Sequence, residues 1–363
     1  RMFQVRPLAA EIDDIPVSLE VGDIVHLCKN AVDRFCQGGD DELTVRSIPV
    51  PEPLWSVSWK FREAFGESLL GTARLMWDDI CSKKGKMRFS HNNYLKIWQL
   101  GKPRISADYI LFDECQDANG VTLAVVMDQQ HCQKIFVGDS YQQIYSWNGA
   151  VNAMQQTGEG QRCWLTESWR FGSGVADVAN QMLAQLGSPA VLVGRGPDSE
   201  IGKCDNPEAM LFRTNSGLLS TAFRLFDSGV TFCIVGGTAD VKEFVEAAQK
   251  MQRGSRPNHA SLNCFSSWED VIAVCQSKEA ESDPDLVRMV RMIEQHGCKK
   301  ILAVLSAALD PERADVLLST AHKAKGREWD SVVIHGDFSQ QPGEEEKRLL
   351  YVSATRAKRH LDH

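Results

Sequence analysis

Five short apolar runs, each ending abruptly in polar or glycine residues, constrain this chain more than any other feature. Tyr109-Ile110-Leu111-Phe112 runs into Asp113-Glu114, and Lys134-Ile135-Phe136-Val137 runs into Gly138-Asp139. Ala209-Met210-Leu211-Phe212 stops at Arg213, Phe232-Cys233-Ile234-Val235 at Gly236-Gly237, and Val332-Val333-Ile334 at His335-Gly336. Apolar runs without polar alternation predict strands buried on both faces, as in parallel sheets. Such sheets carry their chemistry at the C-terminal strand tips. The pattern therefore predicts an α/β fold in two lobes, the second beginning near Cys163.

Elsewhere the period is helical. Apolar residues between Val25 and Phe35 recur at helical spacing, and Gly38-Gly39-Asp40-Asp41 breaks the pattern. Pro49, Pro51 and Pro53 mark a loop. Two more helical stretches run from about Trp59 to Cys81 and from Asn92 to Leu100. Residues 1–104 thus read as mainly helical, and 240–313, charged and poor in strand signals, as a helical insertion.

At 363 residues the chain is too long for one ordinary core. Hydrophobic residues at 43% and charged residues at 24% exclude a disordered chain, a collagen or a coiled coil. No run approaches the roughly 18 apolar residues of a membrane helix, and no basic-then-apolar leader opens the sequence. Neither a membrane partner nor secretion is expected. The eleven cysteines contain no Cys-x-x-Cys pair and read as free thiols in a reducing compartment, cytosol or nucleus. The nine histidines form no ligand cluster. A net charge of −8 argues against a general polyanion binder. It does not exclude a protein that grips one strand by stacking and a few placed groups.

Two strings carry chemistry. Asp113-Glu114-Cys115-Gln116-Asp117 follows a strand, so one carboxylate can hold Mg²⁺ and the next can polarise an attacking water. A solvated acidic turn would explain Asp-Glu alone; Asp-Glu-x-Gln-Asp after four apolar residues favours a nucleotide hydrolase. The second string is Gly138-Asp139-Ser140-Tyr141-Gln142-Gln143-Ile144-Tyr145-Ser146-Trp147-Asn148-Gly149-Ala150. Its amides suit phosphate sensing, and Tyr145 and Trp147 suit stacking on unpaired bases, worth about 1–3 kcal/mol per base.

Together these strings resemble the UvrD/Rep branch of superfamily 1 helicases. The resemblance continues in order through Leu165-Thr166-Glu167-Ser168-Trp169-Arg170-Phe171, Leu211-Phe212-Arg213-Thr214-Asn215 and Ile234-Val235-Gly236-Gly237. It ends with Ser319-Thr320-Ala321-His322-Lys323-Ala324-Lys325-Gly326-Arg327-Glu328-Trp329-Asp330 and Tyr351-Val352-Ser353-Ala354-Thr355-Arg356-Ala357-Lys358. Asp41-Glu42-Leu43-Thr44-Val45 and Asn93-Tyr94-Leu95-Lys96-Ile97-Trp98-Gln99-Leu100 resemble the F-box-bearing DNA helicases in particular.

The resemblance implies an α/β fold of two tandem RecA-like domains, a P-loop NTPase helicase core with mainly helical insertions. The first, partial domain would span 1–162 with a helical insertion at about 20–104; the second would span 163–363 with an insertion at about 240–313. It implies ATP and Mg²⁺ as cofactors and 3′–5′ movement on single-stranded or forked DNA. Asp113 would hold Mg²⁺, Glu114 activate water, and Gln143 sense the γ-phosphate. Arg170 and Arg356 would serve as arginine fingers, with Gly326 and Glu328 on the nucleotide side. Tyr145, Trp147, Arg213, Asn215, Thr320 and His322 would meet DNA. A nuclear role at stalled forks and in repair and recombination is implied. So is a link to a Skp1–cullin ubiquitin ligase through an F-box outside this chain.

One departure limits the reading. The family's phosphate loop (Walker A, Gly-x-x-x-x-Gly-Lys-Thr or Ser) is absent, the nearest string being Gly66-Glu67-Ser68-Leu69-Leu70-Gly71-Thr72. Arg1 is not a start methionine, so the favoured expectation is a piece of a longer helicase. The alternative is an ATPase-silent helicase-like module that binds DNA or repair proteins.

Overall fold

The computed structural model describes residues 5–13, 15–50, 58–145, 149–156, 160–257, 259, 261–262, 265–276 and 284–363. They fall into two compact units, Arg1–Gln161 and Arg162–His363.

The first unit runs β1 (Leu8–Ile12), β2 (Ile15–Leu19), α1 (Val21–Gln37), α2 (Trp59–Cys81), α3 (His91–Leu100), β3 (Tyr109–Phe112), α4 (Gly120–Met127), β4 (Gln133–Phe136) and α5 (Ala153–Gln156). Its core is helical. α1 buries Ile24, Leu27, Cys28, Ala31, Val32 and Phe35 along one stripe, and α2 answers with Phe61, Phe65, Leu69, Ala73 and Met76. Ser58 starts α2 by accepting from Phe61 N at 3.1 Å. The β1–β2 hairpin, antiparallel from Leu8↔Leu19 to Ile12↔Ile15, was not anticipated from sequence. Ala9, Ala10, Glu11 and Pro16 give it no alternating signal.

α3 is inverted in polarity. It buries Asn93, Lys96 and Gln99, while Tyr94, Ile97 and Trp98 are exposed. The polar side serves the 38–41 loop: Lys96 Nζ donates to Gly38 O at 3.0 Å and to Asp40 O, and Gln99 Nε2 donates to Asp41 Oδ1 at 2.7 Å. Lys96 also lies over the Phe35 ring, 4.2 Å from its centroid. Burial pushes its ammonium down to about 8.

β3 and β4 pair in parallel from Tyr109↔Gln133 to Phe112↔Phe136. The pairing sets the Asp113-Glu114 tip beside the Gly138-Asp139 tip, with Val137 N donating to Phe112 O at 2.9 Å and Cys115 N to Val137 O at 3.1 Å.

The second unit runs β5 (Glu167–Ser168), α6 (Ser173–Gln185), β6 (Val193–Gly194), β7 (Glu200–Ile201), β8 (Ala209–Phe212), α7 (Asn215–Ser228), β9 (Phe232–Ile234), α8 (Ala239–Gln252), α9 (Trp268–Gln276), α10 (Pro284–His296), α11 (Cys298–Ala307), β10 (Val316–Thr320), α12 (Ala321–Ala324), β11 (Trp329–Ile334), α13 (Glu344–Ala354) and β12 (Ala357–Asp362). Six strands form one sheet in the order β7-β12-β11-β8-β10-β9, every neighbouring pair parallel. Alternate residues of β8 feed opposite layers. Ala209 and Leu211 pack with Phe171, Val175 and Val332, while Phe212 packs with Leu219, Phe232 and Ile301. Helices thus cover both faces, the α/β arrangement expected from unbroken apolar strands. α8, α10 and α11 share the second of these cores.

Candidate functional site

In the first unit the acidic tip is braced by one amide. Glu114 takes the left-handed conformation, φ 50°, and its N–H turns back to Asp113 Oδ1 at 2.9 Å. Gln116, fully buried, donates through Nε2 to Glu114 Oε2 at 2.6 Å and accepts from Asp139 N through Oε1 at 3.1 Å. Asp139 in turn accepts from Tyr141 N at 2.9 Å and Gln142 Nε2 at 2.8 Å. Gln143 is buried, and its Nε2 donates to Ala150 O at 3.1 Å. Tyr145 is half-buried; burial, then the charges of Asp117 and Glu114, push its phenol up. Tyr145 thus lies within electrostatic reach of Glu114, while Gln143 is held by the 150 backbone, and Asp113 and Glu114 are themselves exposed. Trp147 lies outside the described residues.

In the second unit the expected residues divide between opposite ends of one sheet. At the N-terminal end of β11, Arg170 Nε donates to Glu328 Oε2 at 2.7 Å and Nη1 to Thr355 O at 3.2 Å. Arg356, only 2% exposed, donates from Nε to Val352 O at 2.9 Å, from Nη1 to Arg327 O at 3.1 Å and from Nη2 to Thr355 Oγ1 at 3.0 Å. Gly326 supplies the left-handed turn before Glu328, φ 78°. Reaching a phosphate would require each arginine to exchange these contacts.

The C-terminal strand ends carry the other group. The register Thr320↔Phe212 sets the C-terminal ends of β10 and β8 level, with α12 and α7 following them. Thr320, 7% exposed, caps α12 by accepting from Lys323 N at 3.4 Å, and Asn215 begins α7. β11 is six residues long, so about 20 Å of strand separates the two groups.

Residues 86–159 match the family model of the UvrD/REP helicase N-terminal domain, and residues 315–361 match that of the UvrD-like helicase C-terminal domain. Both matched segments are thus similar to UvrD-like helicase domains, N-terminal before C-terminal along the chain. Among curated relatives, the chain is 30% identical over 378 residues to the F-box DNA helicase protein 1 of Schizosaccharomyces pombe, covering 91% of this chain and 42% of the relative. It is 28% identical to the F-box DNA helicase 1 of Gallus gallus, covering 91% and 37% respectively. DNA helicase IV of Escherichia coli is 30% identical over 147 residues, 37% of this chain and 22% of the relative. The chain spans less than half the length of each of these relatives.

Two features of the site are not legible in the sequence. The motif alone does not signal the bracing role of Gln116, because its second partner, Asp139 N, lies beyond the end of β4. The Arg170–Glu328 pair joins residues 158 positions apart. No string within either motif signals it. Among the described residues no group of three or more His, Cys, Asp or Glu forms a metal cluster, and no helix is long and apolar enough to cross a membrane.

Proposed function

We propose that this chain forms part of an ATP-dependent 3′–5′ DNA helicase or translocase working on single-stranded and forked DNA. The observation that carries this reading is the braced acidic tip. Glu114 is exposed, yet its carboxylate is held by the buried Gln116, which is also tied to the Gly138-Asp139 tip. A carboxylate fixed in this way suits orienting a water, and the neighbouring exposed Asp113 suits Mg²⁺, which takes one or two protein carboxylates and fills its shell with water and phosphate oxygens. The glycine-rich loop with its lysine has no counterpart in these 363 residues. The β- and γ-phosphates thus lack their usual cradle here, and no hydrolysis step is assigned to this chain alone.

Within the second unit, Arg170, Gly326, Glu328 and Arg356 serve the nucleotide, and Arg213, Asn215, Thr320 and His322 serve the strand. Their separation along β11 supports that division. When bound, ATP supplies a cleavable phosphoanhydride. Arg170 exchanges its bond with Glu328 for the charge that develops there. In the first unit Gln143 reports nucleotide state, with Tyr145 and Trp147 on the strand side. A nuclear role in repair, replication-fork processing and control of recombination follows on this reading, as does recruitment of a Skp1–cullin ubiquitin ligase through an F-box outside this chain.

An ATPase-silent module that binds DNA or repair proteins is the second reading. The buried guanidinium of Arg356, with three nitrogens engaged inside the fold, favours it. Strand displacement by the full-length protein separates the two. The first reading expects ATP-dependent unwinding of duplexes with a 3′ single-stranded tail and little unwinding of those with a 5′ tail. Binding to both without ATP-dependent unwinding of either supports the second.

A further inference from the structure

We propose that Asp337, beyond the end of β11, is a positioning residue that holds Arg213 and Asn215 in place for single-stranded DNA. The inference rests on the reading above, which places those two side chains on the strand. Asp337 contacts the 213–214 backbone from another strand's tip. Its Oδ1 accepts from Arg213 N at 3.0 Å, and its Oδ2 accepts from Thr214 N at 3.0 Å and Thr214 Oγ1 at 2.9 Å. The carboxylate is 15% exposed, so these donors have little water to turn to if it is removed.

Asp337 is itself held. His335 N donates to Leu211 O at 2.8 Å, and the His335 ring lies on Phe212 with centroids 4.7 Å apart. His335 Nδ1 stands 3.2 Å from Asp337 Oδ1. Gly217 leaves the room the carboxylate needs, since a Cβ there would lie 2.3 Å from Asp337 Oδ2. Glu346, 3.8 Å from Arg213 Nε, accepts from Ser339 N at 2.9 Å and so steadies the same loop.

This arrangement has a chemical consequence. Backbone amides at a helix start attract phosphate, but here Asp337 already occupies the 213–214 amides. A strand phosphate is therefore met by the half-exposed Arg213 guanidinium and by the exposed Asn215, not by the amides. Their fixed origin makes them a preorganised contact.

The test is anisotropy of a fluorescein-labelled oligothymidylate titrated with the full-length protein, alongside thermal melts. Asp337→Ala is expected to weaken binding roughly tenfold, equivalent to about 1.4 kcal/mol, and Asp337→Asn, which keeps one acceptor oxygen, to weaken it less. In an Arg213→Ala/Asn215→Ala background the same Asp337→Ala change is expected to add little, because the groups it positions are gone. An undiminished tenfold loss in that background overturns the proposal in favour of a general folding role. Unchanged binding by both Asp337 variants overturns it too, as does unchanged binding by Arg213→Ala/Asn215→Ala. If the parent protein does not bind the oligonucleotide, the strand-binding reading fails first and this inference with it.

Discussion

Gln116 and Glu114 form the closest pairing at the acidic tip, Nε2 to Oε2 at 2.6 Å, with the other end of the same amide accepting from Asp139 N. A single buried side chain thereby sets the orientation of the proposed water-activating carboxylate. Gln116→Leu keeps the bulk and removes both bonds. Stability should fall by about 1–3 kcal/mol in urea melts. DNA-stimulated ATP turnover of the full-length protein should fall roughly 10- to 100-fold, as for other groups that orient a reacting ligand.

Gly138 is needed for that brace. A Cβ there would lie 2.3 Å from Gln116 Oε1 and 3.1 Å from Cys115 Sγ, and both neighbours are fully buried. Gly138→Ala should destabilise by about 1–3 kcal/mol. Adding Gln116→Ala should recover part of that loss, giving a non-additive cycle in denaturant melts.

The two arginines should respond differently to truncation. Arg170 pairs with Glu328 at side-chain exposures of 34% and 49%, so Arg170→Ala should cost less than about 1 kcal/mol of stability. Arg356, with three guanidinium nitrogens committed inside the fold, should cost about 3 kcal/mol or more as Arg356→Ala. Thermal melts of both variants check this. Only the Arg170 variant should separate loss of turnover from loss of folding.

Much of the element pattern was legible because burial leaves a periodic trace. The helical stretch 59–81 became α2 with the same bounds, and the apolar run 109–112 became β3, although it is not buried on both faces as expected: Tyr109 and Leu111 are 60% and 64% exposed. Those signals are local. What stayed hidden depends on contacts across the chain: the polar side of α3 turned inward, the Gln116 bridge between two strand tips, and the burial of Arg356 beneath Arg327 and Val352. The motif implies an arginine finger at Arg356, and sequence carries no measure of how a neighbouring loop will enclose it. Six of the ten described cysteines are buried, as suits a small side chain that packs like an apolar one.

Lys96 makes a pH-dependent contribution with an unusual sign. Its ammonium lies below the ordinary lysine value, at about 8, so between there and 10.5 the unfolded chain binds more protons than the folded one. Its contribution to stability therefore rises with pH across that window and is flat below it. Lys96→Met also leaves Gly38 O and Asp40 O without their donor, a cost of about 1–3 kcal/mol at neutral pH. The stability gap between parent and variant in urea melts should widen from pH 8 to 10.

The central claim is that Glu114 activates water for a DNA-driven ATPase, and its most direct test is steady-state ATP hydrolysis by the full-length protein with and without single-stranded DNA, compared with Glu114→Gln. Glutamine has the same shape and still offers an oxygen to Gln116, so the brace survives while the carboxylate charge is lost. The expected result is hydrolysis stimulated by DNA in the parent and reduced by about 100-fold or more in the variant, with unchanged melting. A parent that DNA does not stimulate, or a variant that retains the stimulated rate, would contradict the account.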